Sequence, residues 1–233
     1  MDSSTNQQII RICLVEREKI MDRRKKKTQK AIRKAMLELL DEKNIEAISI
    51  LDITNQADIN RGTFYLHYVD KYDMLEKFEN ELFSKIEEIL YKNIIISRTN
   101  QDFLKSRYST LVQFFDCLKE ERDLFLIVLK TDGIMTMQSK LIQMIHSLLQ
   151  NEKISNIPIT NNKRQLNLFI PILVSILLSV AQYWINNEEE KEITSEQIAR
   201  AMFNILLNGP AKATGLLEGD MIDIDEFLQL DKE

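Results

Sequence analysis

The sequence predicts an all-α protein with a small three-helix N-terminal domain and a larger helical domain after it. Three observations carry that prediction. Glycine and proline number only 5 and 3 in 233 residues, too few for the turn-rich β architectures. Apolar residues recur three and four apart along most of the chain, the period of a helix with one buried face. Two polar signatures, Ser49-x-x-Asp52 and Thr194-x-x-Gln197, stand where helices would begin, each end satisfying the other's free backbone N–H.

In chain order, Ile32, Met36, Leu39 and Leu40 form the inner stripe of a first helix from about Arg23 to Glu42, with Asp22 as its cap and a basic outer face. The Ser49 capping box opens a second helix over 49–56, which breaks at Ala57-Asp58-Ile59. Asn60 then caps a short third helix over 60–67 that hides Phe64 and Tyr68. Asp70 caps a fourth helix with Leu75, Phe78, Leu82, Ile86 and Ile89 on its inner stripe, ended by the polar run 97–101. Apolar helical segments follow at 102–120, 122–130 and 134–151. A loop over 151–162 containing Pro158 separates them from a long apolar helix at 163–187. The Thr194 box opens a last helix that Gly209-Pro210 stops, and residues 211–233 are acidic and weakly periodic. The domain boundary expected from this pattern divides 1–70 from 71–233.

Charge is distributed unevenly. The net charge is −5 and the sequence pI about 5.3, yet residues 22–34 are densely basic while 188–192 and 218–233 are acidic. A basic end joined to an acidic body suits contact with a polyanion at one end only. Cys13 and Cys117 are far apart with no C-x-x-C, and the opening segment carries charges within its apolar part, so a reducing cytoplasm is expected. The apolar stretch 168–185 is about long enough to span a bilayer. Pro171, Ser175, Ser179 and Gln182 interrupt it and no basic flank anchors it, which favours a buried central helix over a membrane span.

Residues 49–71, SILDITNQADINRGTFYLHYVDK, are the most informative segment. Two helices too short to bury a core alone, joined by a tight turn, make a helix-turn-helix. The second would show Arg61, Thr63, Tyr65 and His67 outward, all hydrogen-bonding, phosphate-seeking or stacking side chains, while Gly62 lets the backbone approach whatever is bound. It reads as a DNA-recognition helix.

At these residues the chain resembles the TetR family of bacterial one-component transcriptional regulators. Ser49, Ile50, Asp52, Ile53, Ala57, Ile59, Gly62, Thr63, Phe64, Tyr65, His67, Tyr68 and Lys71 occupy the family signature, and the resemblance covers about 23–85. Asn60 stands where Ser or Thr is common and caps equally well, whereas Leu66 replaces a larger aromatic. The segment WINNEEEKEITSEQIARAMFNILLNGP resembles the last two helices of a subgroup with a tryptophan at the end of the penultimate helix.

The resemblance implies a DNA-contact set of Ser49, Asn60, Arg61, Gly62, Thr63, Tyr65, Leu66, His67 and Lys71. In it Arg61, Gly62 and Thr63 face base edges, and an arginine there pairs bidentately with guanine. Tyr65, His67, Lys71 and the backbone and hydroxyl of Ser49 fall on phosphates. Leu66 either touches a thymine methyl or packs in the ordinary way.

In the second domain Tyr108, Phe114, Phe115, Cys117, Met135, Met137, His146 and Trp184 are candidates for lining an effector cavity; plain core packing is the competing reading. Trp184 could equally anchor a dimer.

No nucleotide-binding glycine loop, H-E-x-x-H, G-x-S-x-G or metal-ligand spacing occurs, so neither an enzyme, a cofactor nor a metal is expected. The expected protein is a cytoplasmic homodimeric regulator. It sits on double-stranded DNA at a palindromic operator, most simply as a repressor released by a small-molecule effector. The alternatives are a helical ligand-sensing or protein-binding module without operator binding, and an activator.

Overall fold

A computed structural model of the chain describes residues 3–92, 100–131, 133–150, 163–187 and 192–213; the side chains of 3–22, 100–104, 149–150, 163–166 and 210–213 are not described. The described residues are helical throughout, with no strand among them: α1 (Ser3–Glu42), a 3-10 turn at Ile45–Ala47, α2 (Ile50–Gln56), α3 (Arg61–Tyr65), α4 (Lys71–Lys92), α5 (Asn100–Glu120), α6 (Arg122–Thr131), α7 (Gly133–Gln150), α8 (Lys163–Asn186) and α9 (Ser195–Ala213). The expected loop at 151–162, most of the acidic run 188–192 and the tail beyond residue 213 lie outside the described residues.

The helix positions follow the sequence pattern, with one large departure at the start. Asp22 does not cap α1, because the helix continues back to Ser3. No glycine or proline interrupts residues 3–42, so nothing in the backbone forces a stop there. At the other end of the chain the Thr194 box forms as expected. Thr194 N donates to Gln197 Oε1 at 2.8 Å, and Gln197 N donates to Thr194 Oγ1 at 3.1 Å. Gly209 leaves helical geometry with φ 75°, a left-handed value that glycine adopts without a Cβ clash, and helical backbone resumes as far as Ala213.

The chain divides into two compact units, Met1–Phe78 and Glu79–Glu233. The boundary falls inside α4 rather than at the 70/71 junction expected from the sequence. The reason is packing: Met74 and Phe78, from the first two turns of α4, are buried in the first unit's core. That core also holds Ile32, Ala35, Met36 and Leu39 of α1, Ile48, Ile53 of α2, and Phe64 and Tyr68. Three of its rings are in contact in series, Phe64 to Tyr68 at 5.4 Å and Tyr68 to Phe78 at 5.8 Å between centroids. The inner stripe of α4 therefore starts at Met74; Leu75, expected there, is only half-buried.

The second unit is a bundle built from the rest of α4 and α5 to α9. Leu124 to Val128 of α6 are buried without interruption, so α6 is enclosed on all sides. α8 has two different faces. Ile170, Val174, Leu178, Ala181 and Ile185 point into the core, whereas Phe169, Ile172, Leu173 and Tyr183 are exposed. Its Pro171 has no N–H to donate within the helix, and Ser175 Oγ donates back to the Pro171 carbonyl at 2.7 Å while accepting from Gln138 Nε2 at 2.7 Å.

Candidate nucleic-acid interface

The first unit's short helices exist because their ends are satisfied locally. In α2, Asp52 N donates to Ser49 Oγ at 3.1 Å, and Ser49 N donates to Asp52 Oδ2 at 2.8 Å. The Ser49 backbone N–H foremost, and then its hydroxyl donating to the same Oδ2, hold the Asp52 carboxyl below its usual pKa of 3.8, and Lys43 at 3.3 Å adds to the effect. The far end of α2 closes with a Schellman motif: Ile59 N donates to Thr54 O at 3.0 Å and Asp58 N to Asn55 O at 3.2 Å. Asp58 supplies the required left-handed residue, with φ 50°. Asn60 then caps α3, its Oδ1 accepting from Gly62 N at 2.9 Å. Only residues 57–59 thus separate α2 from the cap of α3, and the relative direction of the two helices is set by backbone hydrogen bonds.

This cap-turn-cap arrangement turns α3 so that Phe64 and Tyr68 face inward and Arg61, Gly62, Tyr65 and Leu66 face out. Leu66 is 81% exposed, which excludes the packing role and leaves it as an apolar tip on the outer face. Arg61 and Tyr65 meet on that face. Arg61 Nη2 donates to Tyr65 Oη at 3.1 Å, and the guanidinium carbon lies 5.6 Å from the ring centroid. Thr63 and His67 are half-buried on the flank rather than outward. His67 Nδ1 is enclosed with no hydrogen-bond partner among the described residues, and burial, then the charge of Lys25, pushes the imidazole pKa below 6.5. At pH 7 His67 is therefore a neutral N–H donor.

Three members of the expected contact set have structural duties within the protein. Lys71 Nζ donates to the carbonyls of Ile45 at 2.8 Å, Glu46 at 3.1 Å and Ile48 at 2.8 Å. All three ammonium donors are engaged, so Lys71 is a strut closing the 3-10 turn. Ser49 uses both its N–H and its O–H on Asp52, the hydroxyl at 2.8 Å. Asn60 has its Oδ1 committed to the cap. Nothing in the local sequence around Lys71 signals its role, because its partners lie 23 to 26 residues earlier.

The protein itself makes little demand for glycine at position 62. A Cβ added there would meet only Asn60 Oδ1 at 3.5 Å, an ordinary contact.

The start of α4 is pinned beside α3. Asp70 Oδ1 accepts from the N–H groups of Tyr72 and Asp73, each at 2.8 Å. Asp73 Oδ2 accepts from Val69 N and Lys77 Nζ, both at 2.8 Å, and the Lys77 bond lowers its pKa most. Lys77 also donates to the His67 carbonyl at 3.2 Å. On α1 the basic residues Arg23, Arg24, Lys27 and Lys30 are exposed.

The eight candidate effector residues of the second unit differ in exposure, from wholly buried Phe115 to exposed Met135. Phe115 stacks edge-on against both Phe114 and Trp184 at 5.6 Å, all three buried. Trp184 donates its indole N–H to the Ile193 carbonyl at 3.2 Å, fastening the approach to α9 to the end of α8. At 4% exposure it is buried in the core of this unit and is not an exposed dimer anchor. Cys117 is buried, which pushes its thiol up to about 11 and keeps it protonated. Met137 is buried, but Met135 is 78% exposed and belongs to no interior wall. Tyr108 packs its ring 5.3 Å from Phe203 on α9, and His146 is half-buried on α7 with Nε2 lacking a hydrogen-bond partner among the described residues.

Two short capped helices joined by a tight turn, the second with an outward polar and apolar face, define a helix-turn-helix protein. Two family profiles match the chain: "Bacterial regulatory proteins, tetR family" over residues 32–78, and "Transcriptional regulator C-terminal region" over 105–208. The chain belongs to the TetR family. It is 36% identical over 104 residues to YxbF of Bacillus subtilis (strain 168), an uncharacterized HTH-type transcriptional regulator. That alignment covers 44% of this chain and 27% of the relative, so the chain spans little more than a quarter of that protein's length. Among solved structures, the TetR family transcriptional regulator PfmR from Thermus thermophilus aligns with a TM-score of 0.49 at 14% identity, over 76% of this chain and 96% of that one. A TetR transcriptional regulator from Streptococcus agalactiae 2603V aligns at 0.43 and 20% identity, over 81% and 98%.

Proposed function

We propose that the protein is a cytoplasmic, sequence-specific DNA-binding regulator that acts as a homodimer on a palindromic operator, as a repressor released by a small-molecule effector. The observation that supports this best is the outer face of α3. Arg61, Gly62, Tyr65 and Leu66 are exposed on a helix whose direction is fixed by caps at both of its neighbours. An arginine offers a bidentate fork to guanine O6 and N7, and an exposed leucine meets the thymine methyl. Thr63 and the neutral His67 flank them, and the exposed basic residues of α1 add phosphate attraction that carries no base information.

Dimerisation is assigned to the exposed stripe of α8, formed by Phe169, Ile172, Leu173 and Tyr183, joined by Leu206 of α9. Apolar side chains repeated along one helix face in this way are the pattern of a helix bundle between two copies. α8 is also long and apolar enough to cross a membrane by length and composition. Its alternation between a packed and an exposed apolar face fits a helix bundle better than a lipid-facing span. Two copies would place their recognition helices on half-sites about one helical turn apart, roughly 34–36 Å. An effector in the second unit then acts by favouring the state in which that separation is wrong; a 10–100-fold preference, roughly 1.4–2.8 kcal/mol, suffices.

Gly62→Ala separates this reading from that of a module that never binds DNA. Alanine fits the free protein and improves helix propensity by about 1 kcal/mol, so folding should be kept or slightly strengthened. Retention of operator fragments in salt-titrated gel shifts should nevertheless fall at least tenfold, roughly 1.4 kcal/mol, because the added methyl sits where the DNA backbone or base edge must approach. Full retention by the alanine variant would remove Gly62 from the interface. Absence of any sequence-selective retention by the parent protein would favour the non-operator module.

A further inference from the structure

We infer that Tyr65 is a positioning residue for base reading: it holds the Arg61 guanidinium in the orientation that reads one base pair. This rests on α3 being the DNA-reading helix. The family resemblance implies a phosphate contact for Tyr65, but the structure gives its hydroxyl a different partner. Arg61 Nη2 donates to Tyr65 Oη at 3.1 Å while the guanidinium stands 5.6 Å from the centre of the same ring. Both contacts act on one group, from the ring face and from its polar tip.

The ring is itself held. Tyr65 meets the edge of Phe64 at 5.7 Å and 88°, and Phe64 is wholly buried in the first unit's core. The orientation of an exposed arginine is thereby referred back to the core through two aromatic rings. One Nη2 hydrogen is used, which leaves four of the five guanidinium N–H donors for a base edge. An arginine side chain normally loses much rotamer freedom on docking, and one already oriented loses less. The same tie raises discrimination, because a guanidinium held at one angle cannot swing to a neighbouring acceptor when the base pair is wrong.

The contacts also place the two residues four apart on a five-residue helix, so a purely local stabilising role has to be separated experimentally. Binding-site selection with the full-length parent protein first fixes the operator. Affinities of the parent, Tyr65→Phe, Arg61→Ala and the double variant are then measured on that operator and on its variants at the base pair where Arg61→Ala loses preference. Tyr65→Phe keeps the ring and removes only the hydroxyl.

The expected result is a loss of about 3–10-fold on the preferred base pair, the size of one net hydrogen bond, with a change of under about 2-fold on the other three. In the Arg61→Ala background Tyr65→Phe should have no further effect, and the slope of affinity against salt should stay at the parent value, since no phosphate contact is lost. Equal weakening on every sequence, additivity with Arg61→Ala, or a reduced salt slope would overturn the inference and return Tyr65 to the phosphate backbone or to helix stability. The DNA-reading assignment fails differently: the parent selects no sequence, or Arg61→Ala leaves its preferred sequence unchanged, and the inference then falls with it.

Discussion

The Met1–Phe78 unit and the Glu79–Glu233 unit are organised by different physics. In the first, short helices are set by hydrogen bonds between residues two to five apart: the Ser49–Asp52 box, the Schellman turn at Asp58 and the Asn60 and Asp70 caps. Its core is small and its aromatic rings are in series from Phe64 to Phe78. In the second, long helices need little help from caps and are held by apolar burial, with α6 enclosed and Phe115 and Trp184 at the centre. The contrast teaches where function sits. Directional local bonds fix the angle of an exposed helix, which suits a surface that must read a partner. Non-directional packing builds bulk and leaves helix faces free for assembly.

The comparison breaks most severely at Phe64. Phe64→Ala removes a wholly buried ring that links α3 to Tyr68 and supports Tyr65, and should cost roughly 3–5 kcal/mol. The prediction is selective loss of the first unit's amide protection in hydrogen exchange while α5 to α9 stay protected. Loss of both together would mean that the units do not fold as separately as their different bonding implies.

A second prediction concerns the exposed face of α8. Ile172→Glu replaces a 53% exposed side chain, so the fold of one copy should persist. Sedimentation should report a monomer, and operator affinity should fall about 100-fold or more as two linked half-sites become one. A folded monomer that still binds its operator like the parent would exclude the dimer mechanism.

Lys71→Met sharpens the contrast at smaller cost. Leaving the carbonyls of Ile45, Glu46 and Ile48 without their shared donor should cost about 1–3 kcal/mol in the first unit. The salt slope of DNA binding should not change, as it would if Lys71 touched a phosphate.

The smallest effect is expected at Asp58, which holds φ 50° without being glycine. Asp58→Gly should stabilise the first unit by about 0.5–1 kcal/mol in chemical denaturation, because the left-handed conformation no longer strains a Cβ. Destabilisation instead would assign the Asp58 carboxylate a role of its own.

The sequence by itself determined most helix positions, the caps at Ser49 and Asn60, and the inward pair that follows them. Each of these depends on residues within about one turn of each other, so spacing alone carries them: Ser49 to Asp52, Asn60 to Gly62, Phe64 to Tyr68. It placed the last helix's start at Thr194 for the same reason.

Tertiary structure decided which candidates are interior, which are free and which are committed. The family resemblance implies a phosphate role for Lys71, yet its carbonyl partners arrive from more than 20 residues away. Trp184 and Met135 were equal candidates for one cavity, and packing sends the first into the core and the second to solvent. An apolar side chain has the same signature in a core, a pocket or an interface, since burial is non-directional and the partner surface comes from elsewhere in the chain. The angle of Arg61 lay out of reach for a related reason: an i, i+4 spacing permits the Tyr65 contact, but only a packed Phe64 sets the ring that makes it.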